Sequence, residues 1–411
     1  MRENKWCMSK KSALLFIAFC FWIVPTYLYN VSAFMLIANL FGYTAILLCM
    51  IGILKNPRDC SLVFWLIVLS VVAQGISTAM ANPDLLSTYA RQYAKTIAFC
   101  YFLDKFTKGD RATKNINVLL HYLEMMIFIN LATLIVFPNG MYTSGVYSSN
   151  YWMGYDNTHI RWQIPALAIS FIYSFATKQK ISIRTWVLTL AVLLSTLIIG
   201  SGTATIAVIV FAIGMIYILL GKRQDKEKGI KLFTPLAALI VSIVGTIVVV
   251  GGTIMGSQIE IVERIASALG KDSATLTGRN YIWVGSLTAI QNNLLWGLGY
   301  ETSDMTSMRL VNTTGYGSSP HNLCLEVLYN GGIVLAVIIV LIYLAIHFRL
   351  VKYKDVPLIS VCGLWLLIIS VMGITEPQYS SQLRLAWIII GNIPYLCQEN
   401  GLLIMEERKR E

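Results

Sequence analysis

The sequence predicts an all-α integral membrane protein of about twelve transmembrane helices, with one large external loop carrying short interfacial helices. Three observations carry that prediction. Apolar runs of about twenty residues recur along the chain, and that length matches the hydrocarbon thickness at helical rise. Only 13% of residues are charged against 56% hydrophobic, with mean hydropathy +0.65, whereas soluble domains carry roughly a quarter charged. Lysine and arginine punctuate every second connection, as the positive-inside rule requires.

The runs fall near 13–31, 33–54, 61–80, 88–106, 117–137, 160–177, 183–201, 203–221, 232–255, 321–346, 356–374 and 381–399. The first follows MRENKWCMSKK, which has the charge order of a secretory signal, but no small-x-small site closes the run and it reaches spanning length. It reads as an uncleaved first span. Basic residues then mark one side: Arg2, Lys5, Lys10 and Lys11, next Lys55 and Arg58, then Lys105, Lys108, Arg111 and Lys114. Lys178, Lys180 and Arg184 follow, then the cluster from Lys222 to Lys231, then Arg349, Lys352 and Lys354, and last Arg408, Lys409 and Arg410. An even number of helices with both termini cytoplasmic satisfies the rule throughout. The chain therefore reads as a single polytopic membrane domain over 1–411, with an external loop at 256–320 between helices nine and ten.

A net charge of +11 raises the question of nucleic acid. Basic patches for that purpose gather on one solvated face with aromatics interleaved, and these do not, so no nucleic-acid partner is expected. The eight cysteines form no C-x-x-C pair, and none of the four histidines stands at ligand spacing from another histidine or a cysteine. Neither a metal nor another cofactor is expected.

Eight cations are left over after topology: Arg91, Lys95, Arg161, Arg264, Lys271, Arg279, Arg309 and Arg384. All lie at or near the outward side, where a cation needs an acid or a bound anion. Arg91 and Lys95, four apart, share a helix face and repel unless an anion lies between them; snorkelling to the surface is the competing account. The outward segment Pro138 to Ile160 has no lysine or arginine and carries Tyr151, Trp152 and Tyr155 beside Asn, Ser and Asp, which suits stacking on sugar rings. Interfacial aromatics need no ligand at all. Asp156 and Asn157 stand just before Arg161, as a local cap and ion pair or as parts of a site.

Within the external loop, Gln258 to Leu269 has the pattern of a short amphipathic helix lying on the bilayer. Gly278 and Arg279 open a second helical run that reaches Trp296 but is interrupted by Gln291, Asn292 and Asn293, so it reads as interfacial. Gly297, Gly299, Gly315 and Gly317 bracket a stretch suited to a lid. Neither two related halves nor a broken midplane helix is evident.

The order Gly278, Arg279, Trp283, then Gly297 and Gly299, then His321 and Asn322 opening a span with Leu325, then Gly331 and Gly332, resembles the O-antigen ligase and polymerase family. That family includes the repeat-unit polymerases of lipopolysaccharide and capsule synthesis. The resemblance implies glycosyl transfer on the outer face of a bacterial cytoplasmic membrane, from an undecaprenyl-diphosphate-linked glycan donor to a glycan acceptor, without a metal. It implies His321 as the base on the acceptor hydroxyl and Arg279 as a diphosphate ligand. Both roles suit the chemistry: an imidazole accepts a proton near neutral pH, and a guanidinium binds phosphate oxygens as a planar fork.

Members often carry an arginine in a Ser-Arg-Gly-like turn between two mid-chain spans, and here the stretch reads Gly200-Ser201-Gly202-Thr203. A second diphosphate-binding cation then comes from Arg161, Arg384, Arg309 or the Arg91 and Lys95 pair, with Arg161 and Arg384 favoured because span ends fix their positions. Asn322, Glu326, Glu376, Asp156 and Asn157 are expected in support, and Tyr151, Trp152, Tyr155, Tyr300 and Tyr316 as sugar-binding aromatics. The bland account pairs Glu326 or Glu376 with Arg279 or Arg384, and makes His321 a helix cap. The expected function is polymerisation of lipid-linked repeat units into capsular or O-antigen-type polysaccharide, with the lipid bilayer and a chain-length regulator as partners. A ligase of the same family is the near alternative and a lipid-linked glycan flippase the distant one.

Overall fold

The computed structural model describes residues 9–144, 147–155, 158–224, 233–254, 279–310, 319–353 and 357–402. A helix stands at each expected position: α1 (Lys10–Trp22), α2 (Ser32–Lys55), α3 (Leu62–Ala81), α4 (Leu86–Phe106), α5 (Ala112–Val136), α6 (Ile160–Lys178), α7 (Ile183–Ile199) and α8 (Gly202–Gln224). The ninth, α9 (Pro235–Thr246), continues through a π turn at Ile247–Gly251 into Gly252–Ile254. Among the described residues two helices follow before the next span, α10 (Arg279–Asn292) and α11 (Ser303–Leu310), and then α12 (Leu323–Val351), α13 (Pro357–Met372) and α14 (Ser381–Glu399). Six of these, within Ser32–Lys55, Leu62–Ala81, Ala112–Val136, Gly202–Leu220, Pro235–Ile254 and Leu323–Val351, are long and apolar enough to cross a membrane. The protein is an all-α membrane protein. α7 and α13 are apolar but shorter, and α4 carries Arg91, Lys95 and Lys105 among its turns. The amphipathic run at 258–269 and the glycines at 315 and 317 lie outside the described residues.

Local chemistry sets the helix ends. Ser61, Ser182 and Thr234 each turn a hydroxyl oxygen onto the free N–H three residues on, at Phe64, Thr185 and Ala237. Pro235 follows Thr234 at the first helical position, where its missing N–H costs nothing. α7 stops at Gly200, whose N–H returns to Thr196 O and Leu197 O. The Gly-Ser-Gly-Thr stretch is thus the corner between α7 and α8.

The described chain separates into two compact units, each discontinuous in sequence. The first comprises residues 1–57, 101–212 and 392–411. Its centre is α5, which packs against α1, α6 and α7. Phe19 sits among the rings of Phe102, Phe106 and Tyr122 with no exposed surface. Arg184 donates from Nε to Glu124 Oε1 at 2.6 Å and from Nη1 to Asn117 Oδ1 at 2.9 Å, so this cation ties α7 to α5 as well as marking a basic connection. The connection after α5 forms a small antiparallel hairpin, β1 (Tyr142–Ser144) with β2 (Tyr147–Asn150). α2 is the opposite case: only 17% of its spanning window is buried, and Leu36, Leu40 and Leu47 stand open on its flanks. Such a surface is stable only against lipid.

The second unit comprises residues 58–100 and 213–391. Here α12 packs along α3 and α9, and α13 along α9. α10 seals one side through Ile282, Trp283 and Ile290, which share a core with Val250, Leu298, Leu325 and Tyr329.

The sequence predicts an uninterrupted span over 321–346, but α12 is broken at Gly332, where φ is 59° and ψ is −157°. A broken helix leaves backbone donors unpaired, at a cost of several kcal/mol each in a membrane. The stretch after α10 answers them. Ile333 N–H donates to Leu294 O at 3.0 Å, Val334 N–H to Leu295 O at 3.2 Å, and Leu298 N–H to Tyr329 O at 2.7 Å. Backbone lies on backbone at this seam. A Cβ at Gly297 would stand 2.6 Å from Tyr329 O, and one at Gly332 would collide with Leu295 O. Asn82 then donates from Nδ2 to Leu298 O at 2.8 Å, and Thr78 Oγ1 accepts Tyr300 N–H at 2.9 Å, fixing the turn to the end of α3.

Candidate active site

The start of α12 is the anchor. Asn322 is wholly buried in the β region and caps the helix, its Oδ1 accepting Leu325 N–H at 3.0 Å. Its Nδ2 donates to Ile374 O at 2.8 Å and to Thr246 Oγ1 at 3.0 Å. One amide therefore joins α12 to α9, just before the π turn, and to the segment leaving α13. Leu323 N–H adds a bond to Gly373 O at 2.6 Å.

With Asn322 fixed, His321 is fixed. Its φ of +47° places it in the left-handed region, which L residues seldom adopt. Capping belongs to Asn322, so the helix-cap account of His321 does not hold. The imidazole is about a quarter exposed, and its Nδ1 lies 3.9 Å from Glu376 Oε2. That separation is too long for a hydrogen bond. Glu376, nearly buried, accepts at Oε1 from Arg279 Nη2 at 2.5 Å. Arg279 is the first residue of α10, so a single carboxylate brings the predicted base and the predicted phosphate ligand to one place. The pairing of Glu376 with Arg279 is the bland account, and it is observed.

Arg384, in the first turn of α14, has no such answer. It is 3% exposed, and its guanidinium lies over the ring of Tyr379 at 4.5 Å and that of Tyr93 at 5.5 Å. Among the described residues its Nε and Nη2 meet no acceptor. Two desolvated cation–π contacts return about 2 kcal/mol each, against a desolvation penalty of several kcal/mol for the ion. A buried guanidinium facing rings instead of a carboxylate is suited to an anion arriving from outside the protein. Glu326, one turn into α12, accepts Tyr379 N–H at 3.0 Å and so steadies the ring beneath Arg384.

The remaining predicted residues fall elsewhere. Arg309 donates from Nε to Glu301 Oε1 at 2.8 Å, and Glu301 also accepts from Tyr329 OH at 2.7 Å, so this cation locks α11 to α12. Arg91 is exposed and Lys95 half-buried on α4. The backbone of Tyr300 is held by Thr78, and its ring stands 6.1 Å from that of Tyr89. Arg161, Tyr151, Trp152 and Tyr155 belong to the first unit, and the cluster around Asn322 belongs to the second. There Tyr151 is buried and donates to Pro138 O at 3.2 Å, and Trp152 lies 5.8 Å from the Tyr27 ring. Asp156, Asn157 and Tyr316 lie outside the described residues.

Sequence reasoning missed Tyr93, Tyr379 and Glu301. Tyr93 stands between Arg91 and Lys95, and Tyr379 five residues before Arg384. An aromatic near a cation was visible there, but not which cation each ring would meet.

Residues 188–340 match the family model described as O-antigen ligase. Over that segment the chain is similar to the O-antigen ligase family. The match takes in Arg279, His321, Asn322 and Glu326 and both sides of the Gly332 seam, while Glu376 and Arg384 lie beyond it. No curated protein matches the sequence. The match supports an enzyme of the glycosyl-transferring class, within which ligases and polymerases both fall.

Proposed function

We propose that the protein polymerises undecaprenyl-diphosphate-linked oligosaccharide repeat units into capsular or O-antigen-type polysaccharide on the outer face of the cytoplasmic membrane. The observation that carries this reading is the buried Arg384, unanswered by any carboxylate among the described residues, in the same unit as the Arg279, Glu376 and His321 cluster.

In the reaction, His321 takes the proton of the acceptor hydroxyl as that oxygen forms a bond to the anomeric carbon of the donor. The bond from that carbon to the diphosphate oxygen breaks, and the lipid diphosphate leaves with the electron pair. Single displacement gives inversion. Glu376 stands beside the imidazole, where its charge favours the imidazolium that forms, and gives one oxygen to Arg279, whose other N–H groups stay available to phosphate. Arg384 meets charge that grows as the diphosphate departs, so its contribution is larger in the transition state than in the ground state. Two guanidinium groups do the work for which soluble glycosyltransferases often use a divalent metal.

Twelve spans with both termini cytoplasmic place α10, α11 and the start of α12 outside. An impermeant thiol reagent on a cysteine-free background tests this, since labelling of Lys226→Cys in intact cells would invert the orientation. Purified protein incubated with a synthetic lipid-linked repeat unit tests the reaction. A ladder of products supports polymerisation, transfer of a finished chain to a different acceptor supports a ligase, and strong loss on chelation with recovery on added magnesium refutes the metal-free scheme. Broken helices also occur in transporters. At Gly332, however, the freed amides are taken up by the carbonyls of Leu294 and Leu295. A deletion strain that accumulates single units on the inner face would favour the flippase instead.

A further inference from the structure

Three helix ends of the first unit, the start of α1, the end of α4 and the start of α5, surround a cleft of about 320 Å³. Lys11 from the start of α1 and Arg111 and Lys114 from the start of α5 line it, with Ser12 and Asn115 between them and Leu15, Phe102 and Phe106 as its apolar wall. No carboxylate is among the lining residues. Neighbouring cations differ: Lys108 is bonded to Asp104 at 2.8 Å, and Arg184 to Glu124. Lys11 and Arg111 have no acidic partner among the described residues, and Lys114 reaches only Ser9 Oγ at 3.5 Å. Topology asks for positive charge at this level, but it does not ask for three cations around one concave space.

We propose that this cleft holds the phosphate headgroup of an anionic phospholipid. Like charges converging without an acid repel one another, and a phosphate among them removes that repulsion. The apolar wall decides for a lipid over a free ion. Below the cations the lining turns to Leu15, Phe102 and Phe106, and the flank of α1 shows Leu14 and Ile17 open to the bilayer, 68% and 51% exposed. The wall of Leu15, Phe102 and Phe106 suits the first carbons of an acyl chain. Basic pockets between spanning helices at the cytoplasmic face take such headgroups. The inference does not depend on which glycan reaction the second unit performs.

Native mass spectrometry of the full-length protein in detergent, titrated with phosphatidylglycerol or phosphatidylcholine, tests it. Wild type should retain one phosphatidylglycerol in preference to phosphatidylcholine. The Lys11→Ala, Arg111→Ala, Lys114→Ala triple variant should bind it about a hundredfold more weakly, at about 1 kcal/mol for each cation. Arg111→Lys should bind nearly as well as wild type, because a diester phosphate needs charge here more than a fork. Unchanged helicity by circular dichroism confirms that the triple variant folds. Equal retention of both lipids, or undiminished retention in the triple variant, overturns the proposal. Protection of wild type by inorganic phosphate alone, with no lipid retained, replaces the lipid by a free anion and overturns the lipid assignment.

Discussion

Replacing His321 by asparagine tests the proposed base more cleanly than replacing it by alanine, and the backbone explains why. At φ +47° an alanine pays about 1–2 kcal/mol for the left-handed conformation, whereas asparagine is one of the few residues that adopt it readily. The helix cap is unaffected, because Asn322 makes it. His321→Asn therefore removes a proton acceptor and little else. Positioned proton transfer contributes about 10²–10⁴ in rate, or about 3–5 kcal/mol of barrier. Turnover on a synthetic lipid-linked unit should fall by that factor, while donor affinity, measured separately, changes less than about threefold because the arginines remain. Melting in detergent should stay close to wild type for His321→Asn and drop for His321→Ala. An asparagine variant that turns over within threefold of wild type would refute the reasoning outright.

Arg384→Met should keep or raise thermal stability, since an unpaired buried ion gives way to an apolar side chain of similar length, yet lose most activity. A melting temperature that falls with activity intact would make Arg384 a structural ring-stacking residue. Gly332→Ala should lose more than about 3 kcal/mol of stability, from a conformation nearly confined to glycine and a Cβ driven onto Leu295 O. Gly251→Ala, where a Cβ meets nothing within 4 Å, serves as the neutral control, and equal melting of the two would contradict the seam. His159 is buried, its Nε2–H donates to Gly154 O at 2.8 Å, and burial lowers its pKa to about 4. The unfolded chain takes its proton first, near 6.5. Stability from this residue is therefore complete above about 6.5 and declines as pH falls through 4, by up to about 3 kcal/mol. Melting from pH 7 to pH 4 should show that slope in wild type and lack it in His159→Gln; parallel curves would refute it.

Much of the fold was legible because bilayer thickness acts on composition alone. Helix positions followed from runs of apolar residues, and the start of α10 from the Gly278 and Arg279 boundary. His321 and Arg279 were legible as a pair because few cationic or titratable groups lay outside the basic connections. Their meeting point was not. Glu376 stands 97 residues from Arg279, and an acid near a span end gives no hint of which cation it will meet. Arg309 and Arg384 looked alike in sequence, both outward and both surplus. Glu301 neutralises one, and among the described residues the other faces rings and no carboxylate, a difference that depends on tertiary contacts across α4, α11, α12 and α14.

Hydrophobic periodicity also conceals backbone irregularity, and the candidate site is built from it. A run of apolar residues reads the same whether its helix is α throughout, π for one turn at Ile247–Gly251, or broken at Gly332. Thr246 at the edge of the π turn bonds Asn322, Asn322 sets the left-handed His321, and ten residues along, the break at Gly332 receives the loop leaving α10, whose first residue is Arg279. The proposed base and the proposed phosphate ligand are thus held at opposite ends of one short path, the first by the cap of α12 and the second by the helix whose exit plugs the break in α12. The glycine pair and the G-x-G turn are therefore one joint, Gly297 lying against the backbone of Gly331 and Gly332 and Gly299 against that of Thr78, and the helix that carries Arg279 leads into it.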